Sequence, residues 1–195
     1  MIYVLNKFQP NPYPQALEVD TTSKGQFKKD LSPFYLGPVE WIDPVRGSLY
    51  CRRFENFWQY TKVYPEYADV DSNPTELFYK WQEEGFNSYR ANRYPMGKGR
   101  KPLYSLLNGQ RYNYLFARRE IYAPTYAALV LRTRTYAGLK ELVEFGMDIV
   151  LRDFDGYDYV SMGRSLMDVI NDPDRKMGHA FVLAMLLSNV KVKGS

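Results

Sequence analysis

An α+β fold, mostly α, with a small β portion near the N-terminus, is predicted from three observations. Short β-like runs, punctuated by Gly37-Pro38 and Asp43-Pro44, precede Cys51. Beyond that point apolar residues recur at helical spacing in one segment after another. No internal repeat or low-complexity linker breaks the chain, so residues 1–195 read as one domain.

The elements follow in order. Residues 2–5 form a short strand, and a loop containing Pro and Lys leads to residues 31–50, read as short strands joined by turns. Residues 54–64 carry helical spacing up to Pro65. Asn73-Pro74 opens a second helix over residues 75–84 that Gly85 is expected to stop. Residues 86–113 are the least regular part. Helices are expected over 114–121, 124–133 and 136–145, then a turn-rich acidic stretch over 148–159. Helices over 163–170 and 175–190 close the chain.

Composition narrows the function classes. Apolar residues make up 45% and aromatic residues 16% of the chain, enough apolar surface to exclude a disordered segment. The net charge of +4 favours phosphate-bearing ligands, nucleic acid among them. A lone cysteine, Cys51, cannot form an intramolecular disulfide, and with no signal-like N-terminus or long apolar run the expected setting is cytoplasmic, with no membrane partner. One His and one Cys exclude a His/Cys zinc site. Gly-x-Gly-x-x-Gly and P-loop spacings are absent, and no cofactor or metal is implied. Cys51 reads as structural, and His179, among Met177, Ala180 and Phe181, reads as a packed or capping residue. The oligomeric state is left open.

Chemistry gathers on one helix. Phe54, Phe57, Thr61 and Tyr64 share a stripe suited to burial, whereas Glu55, Trp58, Gln59 and Lys62 share the adjacent face at i, i+3, i+4 and i+7. A carboxyl that moves protons, an amine that stabilises charge or attacks carbon, an amide that binds hydroxyls and an indole that stacks together suit a glycoside. The plain alternative is a solvated helix face.

Leu31-Ser32-Pro33-Phe34-Tyr35, then Gly47 and Tyr50, then Phe54-Glu55-Asn56-Phe57-Trp58-Gln59-Tyr60-Thr61-Lys62 resembles the opening of the NADAR family, with its Glu-His-x-x-Gln-x-x-Lys helix. Asn56 stands where that family usually has His, and Pro33 where it usually has Asn. Weaker echoes at Gly99-Arg100, Leu139 to Glu144 and Gly163 to Val169 extend the resemblance over residues 31–170. It implies a NADAR-like domain and an N-glycosidase acting on ADP-ribose attached to guanine in nucleic acid, or on ribosylated riboflavin-pathway intermediates. An ADP-ribosylated nucleotide or nucleic acid would then be the partner. Carried over, Glu55 is the acid/base carboxyl and Lys62 the active amine, with Phe34, Tyr35, Trp58 and Gln59 on the substrate.

Two further clusters are substrate-binding candidates. Lys98 and Arg100, in a basic loop with glycines, could meet a diphosphate. Asp153 and Asp155 could bind ribose hydroxyls or a base edge, although a solvated acidic turn is the simpler expectation. The cluster fails as an EF-hand, because aligning Gly156 leaves Leu151 and Met162 at ligand positions. Two other functions remain open: a glycosidase for a different modified base, and a non-catalytic ADP-ribose- or nucleic-acid-binding protein.

Overall fold

A three-stranded parallel sheet organises the chain, and its central strand is the last to be made. The computed structural model describes residues 1–193. Strand β1 (Ile2–Asn6) and strand β2 (Leu17–Asp20) both pair in parallel with β8 (Ile149–Asp153), which lies between them. All five residues of β8 are buried, which accounts for the unbroken Ile149-Val150-Leu151 run of a covered parallel strand. The acidic stretch expected over 148–159 is therefore corrected: its first half is the heart of the sheet. Arg152 hid that strand from the sequence pattern. Its buried guanidinium is neutralised by Glu18 at 2.8 Å and donates to the carbonyls of Asn6 and Gln9.

Between these strands the chain forms α1 (Lys28–Leu31), the antiparallel hairpin β3 (Val39–Asp43) and β4 (Gly47–Cys51), and α2 (Phe54–Tyr60). Helix α2 ends before the expected residue 64, and Lys62 belongs to the short strand β5 (Lys62–Val63). β5 joins β6 (Tyr104–Leu107) and β7 (Gln110–Tyr112) in an antiparallel sheet within the region expected to be irregular. β structure is thus not confined to the N-terminal portion.

Helix α3 (Glu76–Asn87) runs straight through Gly85 instead of stopping there. A Cβ at Gly85 would fall 2.2 Å from the Tyr60 ring, so this glycine serves a close helix-to-helix approach and not a helix end.

Helix α4 (Tyr114–Ala117) and helix α5 (Ala123–Val130) are one rod, joined by a π-helical turn over Arg118–Tyr122. Pro124 lacks the N–H that a regular helix would supply at that position, and the preceding turn widens so that the Ala123 N–H reaches Arg118. Helix α6 (Arg134–Glu144) and helix α7 (Leu166–Asn171) follow. Helix α8 (His179–Leu187) is buried on all sides, as its nearly all-apolar sequence requires, and packs on α5, β1 and β8 at the centre of the core. Mixed α+β architecture, more helix than strand, is the result. No helix among the described residues is long and apolar enough to cross a membrane.

Candidate active site

The carboxyl end of the central strand opens onto a cavity of about 690 Å³. Helix α2 lines one side of it with Glu55, Trp58 and Gln59, followed by Lys62 from β5. Other walls come from the end of β8, the basic loop before β6, the π-helical turn and the segment leading into α8.

Local backbone geometry explains how α2 presents that face. No side chain caps its N-terminus; instead the N–H groups of Phe54 and Glu55 donate to the carbonyls of Leu36 and Pro33, each at 2.9 Å. Those contacts seat the Ser32–Leu36 turn against the helix and bring Pro33 and Phe34 into the cavity wall. On the far side Phe54 and Phe57 are buried against Tyr122, Tyr126, Trp41 and Phe86. The expected division holds for Phe54 and Phe57 against Glu55, Trp58 and Gln59; Thr61, Lys62 and Tyr64 lie beyond the end of the helix, and Tyr64, expected in the core stripe, borders the cavity instead.

Glu55, Gln59 and Lys62 form a continuous hydrogen-bonded array. The Gln59 amide donates from Nε2 to Glu55 Oε1 at 2.8 Å, and the Lys62 Nζ donates to Gln59 Oε1 at 2.7 Å. An amine donor and a carboxyl acceptor on either side admit only this sense of the amide. Glu55 and Gln59 are only 5% and 7% exposed, so the array lies at the floor and not on a solvated helix face. Burial raises the Glu55 carboxyl above its ordinary range, against the lowering influence of Gln59, Lys62 and Arg93. Burial also brings the Lys62 amine down to about 8; Glu55 opposes the shift and Arg93 adds to it. The Lys62 Nζ lies 4.5 Å from the centroid of the Trp58 ring, whose other neighbour is Tyr122, edge-on at 5.0 Å. A partly neutral amine and a carboxyl that takes up protons readily are thus held within one short relay.

The two aspartates divide in role. Asp153, the last residue of β8, is fully engaged: Oδ2 accepts from His179 Nδ1 and from the Ala180 N–H, both at 3.1 Å, and Oδ1 accepts from the Asp155 N–H. Burial would raise this carboxyl, but the His179 charge and these hydrogen bonds win and hold it at about 2. The other His179 nitrogen, Nε2, faces the Thr21 carbonyl at 2.9 Å. With acceptors at both nitrogens the ring carries both hydrogens and is a cation, its pKa raised by Asp153 in spite of burial. Asp155 instead pairs with Arg93, and both line the cavity. The simple solvated turn is thus corrected: Asp153 is 4% exposed and ion-paired.

Phe34, Glu55, Trp58, Gln59, Lys62, Arg100, Asp153 and Asp155 all border the one cavity. Tyr35 and Lys98 do not: Tyr35 lies on the outside beneath the Lys28 amine, and the basic loop meets the cavity through Gly97, Gly99, Arg100 and Lys101. Arg100 is already ion-paired to Glu66. The Cys51 thiol is buried and pushed up to about 12, in keeping with a structural residue.

Sequence reasoning missed Arg93 and Arg118. Arg118, on the π-helical turn, is 2% exposed and donates to the carbonyls of Val169, Asp172 and Arg175, fixing the wall before α8. Arg93 is placed by Asn56. That fully buried amide donates to the carbonyls of Gly85 and Arg90 at 3.0 and 2.9 Å and accepts the Asn92 N–H at 2.8 Å. Asn56 therefore braces the loop that carries Arg93 and does not itself border the cavity. No short motif announces either arginine; only an Asn buried in mid-helix, where its amide must find partners, hinted at the brace.

Among the described residues, no three His, Cys, Asp or Glu side chains converge so as to hold a metal ion. Comparison with family models, curated proteins and solved structures gives no match.

Proposed function

We propose that this protein is an N-glycosidase that hydrolyses the bond between ribose and a base nitrogen, with ADP-ribose attached to guanine in nucleic acid as its substrate. The observation that carries the reading is the buried Glu55–Gln59–Lys62 array on the floor of a cavity of about 690 Å³. The resemblance of Leu31 to Lys62 to the NADAR N-glycosidases supports it, and a cavity of that volume suits a nucleotide-sized ligand.

Hydrolysis adds water across the bond: the hydroxyl goes to the sugar carbon and a proton to the departing nitrogen. The transition state needs that proton and needs relief of positive charge at the sugar carbon. Glu55, with its raised pKa, supplies the proton and as the resulting carboxylate draws one from the attacking water. Lys62 serves the same step in one of two ways. As a cation it assists departure of the leaving group. As a free amine it attacks the sugar carbon and displaces the base nitrogen, which takes the proton from Glu55. The ring then opens to a Schiff base as the amine gives up its proton, and water hydrolyses that Schiff base to release the sugar and the amine. Trp58 stacks on the base or the sugar, and Gln59 keeps the carboxyl and the amine in register.

The test is incubation with guanine-ADP-ribosylated DNA, with released ADP-ribose read by mass spectrometry for the wild type and for Glu55→Gln. Release by the wild type and loss in the variant are expected. No release by either protein sinks the substrate assignment. Borohydride added during turnover decides between the two uses of Lys62, because only the Schiff base is reduced to a stable adduct.

A further inference from the structure

Arg93 and Asp155 stand next to the Glu55–Lys62 array yet take no part in it. Their pairing joins Arg93 Nη2 to Asp155 Oδ2, and the two side chains are 31% and 25% exposed. Asp155 Oδ1 and the Nε and Nη1 of Arg93 have no hydrogen-bond partner among the described residues, and none of these atoms is buried. The cavity is thus offered two or more donors and one strong acceptor side by side.

The backbone beside each partner is fixed by hydrogen bonds. Arg93 follows the loop braced by Asn56, which binds Gly85, Arg90 and Asn92. Asp155 is seated by its own N–H on Asp153 Oδ1, and the Gly156 N–H donates to the Asp153 carbonyl at 3.2 Å. Gly156 packs so closely that a Cβ there would fall 2.3 Å from the Leu5 carbonyl oxygen. Asp153, the other carboxylate nearby, has both oxygens occupied by His179, Ala180 and Asp155. Asp155 is therefore the aspartate with an oxygen to spare.

We infer that the Arg93–Asp155 pair binds the vicinal diol of a ribose, and so makes the site selective for ribosyl over 2-deoxyribosyl substrates. Each hydroxyl of a diol donates once and accepts as well, which matches a carboxylate oxygen beside guanidinium N–H groups. A phosphate would gain from Arg93 but would be repelled by Asp155, and an apolar group would leave Asp155 Oδ1 and the remaining Arg93 N–H groups desolvated without hydrogen bonds. Arg93 and Asp155 line the same cavity as Glu55 and Lys62, so a ribose with its diol on the pair would lie within the proposed site. This inference rests on the glycosidase reading for the identity of the sugar, but its test does not need turnover.

The experiment measures calorimetric binding of ADP-ribose and of the analogue lacking the 2-hydroxyl of the terminal ribose. The proteins are the wild type, Asp155→Asn and Arg93→Gln, each checked for folding by circular dichroism. The wild type is expected to prefer the intact ribose by about tenfold or more, since a site built around a hydroxyl is left unpaired by its loss. In each variant the preference should fall below about threefold, with ADP-ribose itself bound more weakly. Equal binding of the two ligands by the wild type, binding of neither, or a preference that survives in both variants would overturn the inference. Sugar selectivity without release of ADP-ribose in the turnover assay would keep the diol pair and sink the glycosidase. Turnover without sugar selectivity would do the reverse.

Discussion

His179 Nδ1 lies 3.1 Å from Asp153 Oδ2, and this buried pair ties the first turn of α8 to the end of the central strand. It forms part of the cavity wall without joining the Glu55–Gln59–Lys62 array. Gly178 is the residue that lets the helix come so near, because a Cβ there would fall 2.1 Å from that same carboxylate oxygen.

Stability should depend on pH through this pair. Asp153 is depressed from 3.8 to about 2, so its contribution is complete above 3.8 and is lost as pH falls toward 2. His179 is raised above 6.5, so its contribution is complete below 6.5 and is lost as pH rises through the raised value. Urea midpoints should be highest between pH 3.8 and 6.5. Replacing His179 by Ala should cost roughly 3–5 kcal/mol and abolish the alkaline decline. An unchanged alkaline limb in that variant would rule the pair out as its source.

Lys62 should react as an unusually acidic lysine. Its modification by an amine-selective acylating reagent, followed by peptide mass spectrometry, should titrate with a midpoint near 8, well below the ordinary lysine value of 10.5. In Glu55→Gln the midpoint should fall further, because the carboxylate that favours the ammonium form is gone. A rise, or no movement, would mean that the two groups are not coupled.

Removing the Asn56 amide should unfasten the loop bearing Arg93. Asn56→Ala leaves the Asn92 N–H without its acceptor and takes one donor each from the Gly85 and Arg90 carbonyls, which keep the Ser88 N–H and the Ser88 hydroxyl. With one N–H left without its acceptor and the side-chain bonds of the buried amide lost, a cost of about 1–3 kcal/mol is expected. Hydrogen exchange of the amides in residues 88–93 should accelerate more than that of β8. Uniform acceleration across the protein would contradict a local brace.

Gly85→Ala should destabilise even though alanine is the better helix former. The added methyl would overlap the Tyr60 ring at 2.2 Å, and overpacking of this kind costs about 1–3 kcal/mol. A Gly85→Ala protein with an unchanged thermal midpoint would show that α2 and α3 can slide apart at no cost.

Local pattern carried the parts of the fold whose signal is local. The all-apolar run that became α8, the breaker at Asp43-Pro44 that became the hairpin turn, and the two faces of α2 could each be read from a window of about ten residues. β8 could not, because Arg152 and Asp153 look like surface charges until Glu18 and His179 arrive from 134 and 26 positions away in sequence. Gly85 misled for the same reason: a glycine reads as a helix end unless the ring opposite it is known.

The sequence by itself determined that Glu55, Trp58 and Gln59 share a face, since that follows from helical periodicity alone, whereas Lys62 reaches the same array from β5, just past the helix end. Only the tertiary structure decided that this face is buried at the floor of a cavity, which is what raises the carboxyl and lowers the amine. It also separated Asp153, which serves the scaffold, from Asp155, which is open to a ligand, and it brought in Arg93 and Arg118. The physical reason is that a pKa and a hydrogen-bond vacancy are properties of surroundings, and these surroundings are assembled from segments as far apart as Thr21, Asn56, Asp153 and His179.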